Sequence, residues 1–338
     1  MNEDVEIIRR LVADHDPAAG LIAATAHADP HGRAALERIL AVPVPRTHRF
    51  ARWPFPVLPS LVWVAIAATF VFLVVRKVDA GSQALAATPA PLAYHLPAKA
   101  PSGRGLLLQL AAVAKRQSAP VTHPGRPYAY VKDAGWYLVT NVSGEQVNSK
   151  VAASTTESWT APNAFNRSVT TRLPGNGSRV SATALGRVTG GSAGPGPPLL
   201  RLSTVPAVVA HQLDIGHPRS IGPVERFVSL TDLALNQPIP PGAESAILRV
   251  LARSPGLIDS GDVTDRAGRP GVAVSLDSAY SGLPTRYTLI FDPHTGSLLD
   301  EEETLLGNPG KLNVRPRSVI AYTVFLASGY VARPFARP

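Results

Sequence analysis

The longest hydrophobic run in the chain is Val57–Val75, nineteen residues without a charged side chain. A helix of this length spans about 28 Å, close to the hydrocarbon thickness of a bilayer. Three arginines precede the run and Arg76-Lys77 follow it, while Trp53 and Phe55 lie where an interfacial aromatic belt is expected. The pattern predicts a transmembrane helix within residues 53–77. A cleaved signal peptide is disfavoured because about 55 residues precede the run, far more than a usual n-region.

Residues 1–52 form a tail in front of this predicted membrane helix. Within residues 2–41 the apolar positions, such as Val5, Ile8 and Leu11, recur at helical spacing but make only thin stripes. The tail is therefore either a docking segment for a cytosolic partner or a loosely helical extension. Three arginines before the membrane helix against two basic residues after it give a weak bias that favours a cytoplasmic N-terminus.

Beyond the membrane helix the periodicity changes several times. Residues 78–91 are rich in Ala, Pro, Gly and Ser and predict a linker, and residues 92–338 predict one folded extracytoplasmic domain. Helical spacing is found at 102–116, 203–213, 222–236 and from 241, and strand patterns at 128–142, 147–159, 168–173, 179–188, 257–265, 272–276, 286–291, 297–306 and 318–330. The order helix, strands, helices, strands predicts an α+β domain, in which an antiparallel sheet carries helices on one face.

The composition of the chain excludes several kinds of functional site. The chain has no cysteine, which excludes disulfides, thiolate catalysis and cysteine-based zinc sites. The net charge is +9, and the excess lies in the anchor flank and the outer domain, because residues 1–52 are balanced. This excess favours anionic lipid or wall polymer as partner, or is diffuse surface charge. Nucleic acid is disfavoured, since no basic run with interleaved aromatics occurs.

Three short motifs suggest chemistry without supporting it. A G-x-S-x-G occurs at Gly190–Gly194, but prolines follow it, so a flexible loop over 190–198 is expected instead of a hydrolase elbow around Ser192. His27 and His31 have ligand spacing, but Pro30 lies between them. The acidic run Asp300–Glu303 alternates faces on a strand, so at most two side chains converge. We expect it to be a solvated strand end, with a weak cation site as the alternative. No catalytic, cofactor or metal site is predicted.

Aromatic residues in the first strands are the candidate binding residues. Tyr128, Tyr130, Trp136 and Trp159 line an apolar ligand hollow if the sheet is curved. Core packing between sheet and helices explains them, and the neighbouring Tyr137, equally well.

Three segments carry a family resemblance: Thr155–Trp159, Val263–Val274, and the hairpin Arg286–Leu299 with its Asp292-Pro293-His294-Thr295-Gly296 turn. With the tail and single anchor, the chain resembles an uncharacterised actinobacterial family of single-pass membrane proteins, which implies no known activity. The layout of the outer domain is similar to the half-barrels of lipoprotein carriers and of periplasmic regulators of envelope-stress sigma factors. This likeness implies a curved antiparallel sheet around an apolar hollow.

These features predict a membrane-anchored extracytoplasmic protein without catalytic activity, which binds a lipid-like ligand or an envelope protein through a concave sheet. One alternative is a transmembrane regulator whose tail sequesters a sigma factor. Another is an envelope structural or assembly protein that contacts wall polymer.

Overall fold

The computed structural model describes residues 85–96, 102–118, 125–143, 146–163, 165–172 and 187–338. The predicted tail, the predicted membrane helix Val57–Val75 and residues 78–84 of the linker lie outside these ranges. Within the ranges that are described, no helix combines the length and the apolar character needed to cross a membrane. The structure thus covers most of the predicted extracytoplasmic domain and the end of the linker.

The described ranges contain ten β-strands and four α-helices. The strands are β1 (Tyr94–His95), β2 (Tyr128–Ser143), β3 (Gln146–Thr160), β4 (Phe165–Arg172), β5 (Arg187–Pro195), β6 (Ile258–Thr264), β7 (Pro270–Ser278), β8 (Thr285–Phe291), β9 (Leu298–Leu305) and β10 (Val319–Val331). The α-helices are α1 (Gly103–Arg116), α2 (Pro206–Leu213), α3 (Glu225–Asn236) and α4 (Pro241–Leu251).

The strands form one open sheet in the order β1-β6-β7-β8-β9-β10-β2-β3-β4-β5, and every neighbouring pair is antiparallel. Strands β9, β10 and β2 occupy the middle, whereas β1 and β5 are the edges. The predicted α+β class and antiparallel sheet are therefore confirmed.

Helix α1 shows how the sequence starts and places a helix. The Ser102 hydroxyl accepts a hydrogen bond from the Gly105 N–H at 3.1 Å and caps the N-terminus, as predicted. Lys115 and Arg116 lie in the last turn, where cations complement the helix dipole. The apolar side chains recur at three- and four-residue spacing, so one stripe of the helix is buried: Leu106, Leu107, Leu110, Ala111 and Ala114.

All four helices pack on one side of the sheet, which we call the helix face. Their apolar stripes meet alternate residues of β7 and β8, and this contact is the main core of the molecule. The sheet contributes Val274, Leu276, Tyr287, Leu289 and Phe291 to this core.

The other side of the sheet, which we call the opposite face, is covered by extended segments. Residues 85–96, here called the strap, pack Leu92 and Tyr94 against β6 to β9. The strap is held by the Arg266 guanidinium, which donates to the Ala90 carbonyl at 3.1 Å. The segment after β10 folds back over β2 and β3, where Ala336 joins the cluster around Tyr130 and Trp159.

Two sequence-based expectations are wrong. The loop expected over 190–198 is a strand up to Pro195, because β5 pairs with β4 as the edge of the sheet. The acidic run Asp300–Glu303 is not a solvated strand end. It belongs to β9, a central strand covered on both faces, and Asp300 and Glu302 are almost completely buried.

Candidate functional site

The four aromatic residues predicted to line a ligand hollow lie on the opposite face. Tyr128, Tyr130 and Trp136 are alternate positions of β2, and Trp159 on β3 is the register partner of Tyr130. Since residues at spacing two share a face of a strand, all four point to the same side. The structure nevertheless divides them into two groups with different surroundings.

Tyr128 and Trp159 line a hollow of about 180 Å³ where β2 and β4 begin and β3 ends. Pro334, from the segment after β10, closes one side. The complete set of lining residues is Tyr128, Trp159, Ala161, Asn163, Phe165, Arg167 and Pro334. The hollow is smaller than the roughly 300–1,000 Å³ typical of sites for drug-sized ligands. It therefore has room for one end of a lipid-like molecule and not for a whole lipid.

The indole of Trp159 fixes the floor of this hollow. Its Nε1–H donates to the carbonyl of Ala336 at 2.7 Å, and its ring centroid lies 5.1 Å from that of Phe335 and 5.5 Å from that of Tyr130. Trp159 is only 2% exposed. A ring held by two aromatic neighbours and one hydrogen bond is a rigid wall, as a preorganised site requires.

Glu157 holds the segment after β10 in place beside the hollow. Its carboxylate accepts two hydrogen bonds from Arg337, at 2.7 and 2.9 Å, and one from the Tyr130 hydroxyl at 2.9 Å. Burial alone would raise the pKa of Glu157, but these donors outweigh it and lower the pKa below its ordinary value. Glu157 is therefore ionised at neutral pH, and its carboxylate holds the Arg337 and Tyr130 side chains beside the hollow.

Arg167 gives the rim of the hollow its charge. The guanidinium lies over the Phe165 ring, 5.5 Å from its centroid, and the residue is exposed. In the described part of the chain no carboxylate pairs with it. The hollow thus combines apolar walls with a cation at its mouth, an arrangement suited to an amphipathic anion.

Trp136 and Tyr130 belong to the packed interior instead. Trp136 is fully buried and its ring stacks on Tyr322 at 6.4 Å between centroids. Tyr130 is 1% exposed, and its hydroxyl is used by Glu157. The Arg266 guanidinium also lies over the Tyr322 ring, 4.6 Å from its centroid. Sheet packing accounts for these two predicted residues.

The acidic strand β9 is the second unusual feature. Asp300 and Glu302 face the strap, where Glu302 pairs with Arg266 and the Arg266 N–H donates to Asp300 at 3.3 Å. Burial, together with the neighbouring Glu302, raises the pKa of Asp300 well above its ordinary value. Arg266 therefore contacts both carboxyl groups on this face of β9.

Glu301 and Glu303 lie on the helix face of β9, opposite Leu289 and Tyr287 of β8. Burial raises the pKa of Glu303 to about 7. Burial and the nearby Glu303 raise the pKa of Glu301 well above its ordinary value. The sequence pattern did not predict that these carboxyl groups are buried, because a run of four acidic residues is usually solvated.

The other motifs do not form sites in this structure. Ser192 lies on the exposed edge strand β5, where its hydroxyl bonds that of Ser168 at 3.0 Å, with neither a strained turn nor a following helix. His27 and His31 lie outside the described residues. Among the residues that the structure describes, no three His, Asp or Glu side chains have a geometry that could hold a metal ion.

Sequence reasoning missed Asn163, Phe165 and Arg167, which line the hollow with Tyr128 and Trp159. Strand β4 pairs with β3 in a register that makes Arg167 the partner of Trp159. Only the strand register reveals this neighbourhood, and the register was not fixed by the sequence pattern.

Comparison with known protein families, curated proteins and solved structures found no match to this chain. The resemblance to a family of single-pass membrane proteins therefore stays a prediction.

Proposed function

We propose that the chain is a membrane-anchored extracytoplasmic protein without catalytic activity that binds an amphipathic, lipid-like anion in the hollow at Trp159. The proposal includes a membrane helix at Val57–Val75 with the N-terminus inside. It also includes a sheet curved in the manner of the half-barrels that the layout resembles. Arg167 then contacts the anionic end of the ligand, and the walls formed by Tyr128, Trp159 and Phe165 contact its apolar end.

The observation that carries the proposal is the charge of Arg167, which pairs with no carboxylate among the described residues, beside three aromatic walls. Apolar contact favours the chain end of a ligand, at roughly 25 cal/mol for each Å² removed from water. A guanidinium adds charge-assisted hydrogen bonds to a carboxylate or phosphate, which a neutral head group cannot match. The site should therefore distinguish ligands by the sign of the head group.

Three probes with the same chain test this distinction: octanoate, octanol and octylamine. The full chain, in lipid nanodiscs, is labelled with 5-fluorotryptophan, and its four tryptophans give four ¹⁹F signals. Trp159→Phe assigns the signal of interest. Octanoate is expected to shift the Trp159 signal saturably, octanol more weakly, and octylamine not at all.

Arg167→Ala should remove the preference for octanoate over octanol, whereas Arg253→Ala, at an exposed position after α4, is the matched control and should keep it. A Trp159 signal that responds equally to octanoate and octylamine would contradict the proposal. So would a response to octanoate that Arg167→Ala leaves unchanged.

A further inference from the structure

The long connection between β9 and β10 carries three cations and no acid. Residues 306–318, here called the basic loop, contain Lys311, Arg315 and Arg317 but neither Asp nor Glu. Arg315 and Arg317 are exposed, and Lys311 is partly exposed. None of the three forms an ion pair within the part of the chain that the structure describes. Their charges are therefore available to a partner.

Hydrogen bonds to neighbouring segments fix the basic loop in position. The Asn313 carbonyl accepts a hydrogen bond from the Ala86 N–H at 2.8 Å. The Thr88 hydroxyl donates to the Ser318 hydroxyl at 3.2 Å, so two residues of the strap hold the loop. In addition, the Asn313 N–H donates to the hydroxyl of Ser149 on β3 at 3.4 Å. The loop is thus a fixed base for its exposed arginines, which lowers the cost of ordering them on binding.

The backbone conformation of Arg317 is unusual for an arginine. Its φ is +59°, in the left-handed region that glycine adopts without strain and that other residues rarely enter. Pro316 fixes its own φ, and Arg315, as the residue before a proline, is restricted to extended backbone. Strained backbone of this kind clusters at functional sites. Because glycine fits this turn better, the fold alone does not account for an arginine here.

The basic loop lies at the end of the domain from which the chain leads to the proposed membrane helix. Residues 78–84 separate the helix segment, which ends at Lys77, from the start of the strap at Leu85. Fully extended, this connection spans at most about 30 Å. The next residues of the strap include Ala86 and Thr88, which bond the loop directly. The three cations are therefore tethered close to the bilayer surface.

We propose that the basic loop docks on the anionic head groups of the bilayer that holds the chain, an inference that rests on the proposed membrane helix. Arg315 and Arg317 donate charge-assisted hydrogen bonds to lipid phosphates. Each basic residue near an anionic membrane strengthens binding roughly fivefold. Asp277, two strands away at the same end of the sheet, is paired with Arg286 at 2.8 Å and does not oppose this attraction.

Docking also sets the position of the Trp159 hollow relative to the membrane. The basic loop precedes β10, whereas the hollow lies beside the end of that strand, where Val331 is the register partner of Tyr128. Strand β10 has 13 residues, which span about 40 Å. The docked domain therefore holds the hollow at the end remote from the bilayer, where it receives ligands from the envelope.

The test measures contact between the basic loop and lipid in the full chain, reconstituted in nanodiscs. The chain has no cysteine, so one introduced cysteine takes a single bimane label. Gly307→Cys reports on the loop, because a side chain at this position meets open space. His294→Cys, at an exposed position in the turn at the other end of β9, reports on the remote end. A nitroxide on the lipid head groups quenches a label that touches the membrane surface.

Discs of phosphatidylcholine alone are compared with discs of equal parts phosphatidylcholine and phosphatidylglycerol. We expect quenching of the label at position 307 to be at least about twofold stronger in the anionic discs. The difference should disappear in about 1 M salt, where the Debye length is about 3 Å. The label at position 294 should show little quenching in either kind of disc.

The variant Arg317→Gly separates docking from folding. It removes one cation and relieves the left-handed backbone, so the urea midpoint should not fall, whereas the docking equilibrium should weaken roughly fivefold. Combining it with Arg315→Gln should remove the difference between the two kinds of disc. The matched control is Arg201→Gln with Arg253→Gln, which removes two exposed arginines before α2 and after α4 and should keep the difference.

Three results overturn the inference while leaving the membrane helix in place, provided that the chain elutes with the discs. One is equal quenching of the label at position 307 in neutral and anionic discs. Another is a wild-type difference in the Arg315→Gln, Arg317→Gly variant, and the third is the same loss in the control pair. A chain that elutes apart from both kinds of disc contradicts the membrane helix itself, and this inference falls with it.

Discussion

Asp133 offers the sharpest test of the buried carboxyl groups, through the variant Asp133→Asn. Asn is nearly isosteric with Asp and uncharged at every pH. Burial raises the pKa of Asp133 from its ordinary 3.8 to about 7 in the folded protein. The folded protein therefore binds this proton more tightly than the unfolded chain does. The stabilisation is complete below pH 4 and is lost as the pH rises through 7.

The size of the effect follows from the shift. About three pKa units at about 1.4 kcal/mol each give roughly 4 kcal/mol as an upper limit, since the structure relaxes around a charge. Asp133→Asn should thus equal wild type at pH 4 and exceed it by up to about 4 kcal/mol at pH 8. Most of the gain should appear between pH 4 and 7.

Urea unfolding of the full chain in detergent, at pH 4, 6 and 8, measures this difference. Asp262→Asn, which removes an exposed carboxyl of β6, is the control and should follow wild type at each pH. If Asp133→Asn and wild type lose stability in parallel from pH 4 to 8, Asp133 is not a buried neutral acid and the reasoning is refuted.

Two further predictions concern stability. Arg266→Met should lower the free energy of unfolding by about 3–5 kcal/mol because it leaves Glu302 buried and unpaired. Adding Glu302→Leu should restore much of this stability. Equal urea midpoints for the single and the double variant would contradict this prediction. Gly296→Ala should cost about 2–4 kcal/mol, because φ is +79° and the new Cβ would lie 2.9 Å from the Leu110 carbonyl. Gly268 has a similar φ of +84° but open space around it, so Gly268→Ala should lower the free energy of unfolding by only about 1–2 kcal/mol. A smaller loss of stability for Gly296→Ala than for Gly268→Ala would show that the hairpin does not pack on α1.

Much of the fold is readable from the sequence because local signals agree with tertiary packing. Ser102 caps α1, and Pro241 at the first helical position starts α4, as expected. The Asp292–Gly296 turn joins β8 to β9, where Asp292 accepts from the His294 N–H at 2.7 Å. Such turn and cap chemistry depends on a few neighbouring residues, so it survives without knowledge of the whole molecule.

Strand order and register could not be predicted from the sequence pattern. The central position of β9 comes from its pairing with β10, which the chain reaches only after a long connection. Asp300–Glu303 therefore looks like a solvated end in sequence but lies in the middle of the sheet. Arg266 compensates Glu302 from 36 residues away, a distance at which no local pattern reveals the pair.

For a similar reason, only some residues of the candidate site could be predicted from the sequence. Tyr128 and Trp159 stand out as aromatics in strand patterns, and the structure brings them together at the hollow. Arg167, which sets the charge of the hollow, has no local feature that distinguishes it from other surface arginines. Trp136 has the same sequence signature as Trp159 but is fully buried against Tyr322. Sequence alone cannot tell a packed aromatic from a lining one when both lie on the same face.

The most direct test of ligand binding at the Trp159 hollow is photolabelling of the full chain in native membranes with a diazirine derivative of octanoate. The account predicts covalent label within residues 159–167, competition by unlabelled octanoate, loss in Arg167→Glu and retention in Arg253→Glu. Label confined to Val57–Val75, or label in residues 159–167 that Arg167→Glu leaves unchanged, would contradict the account.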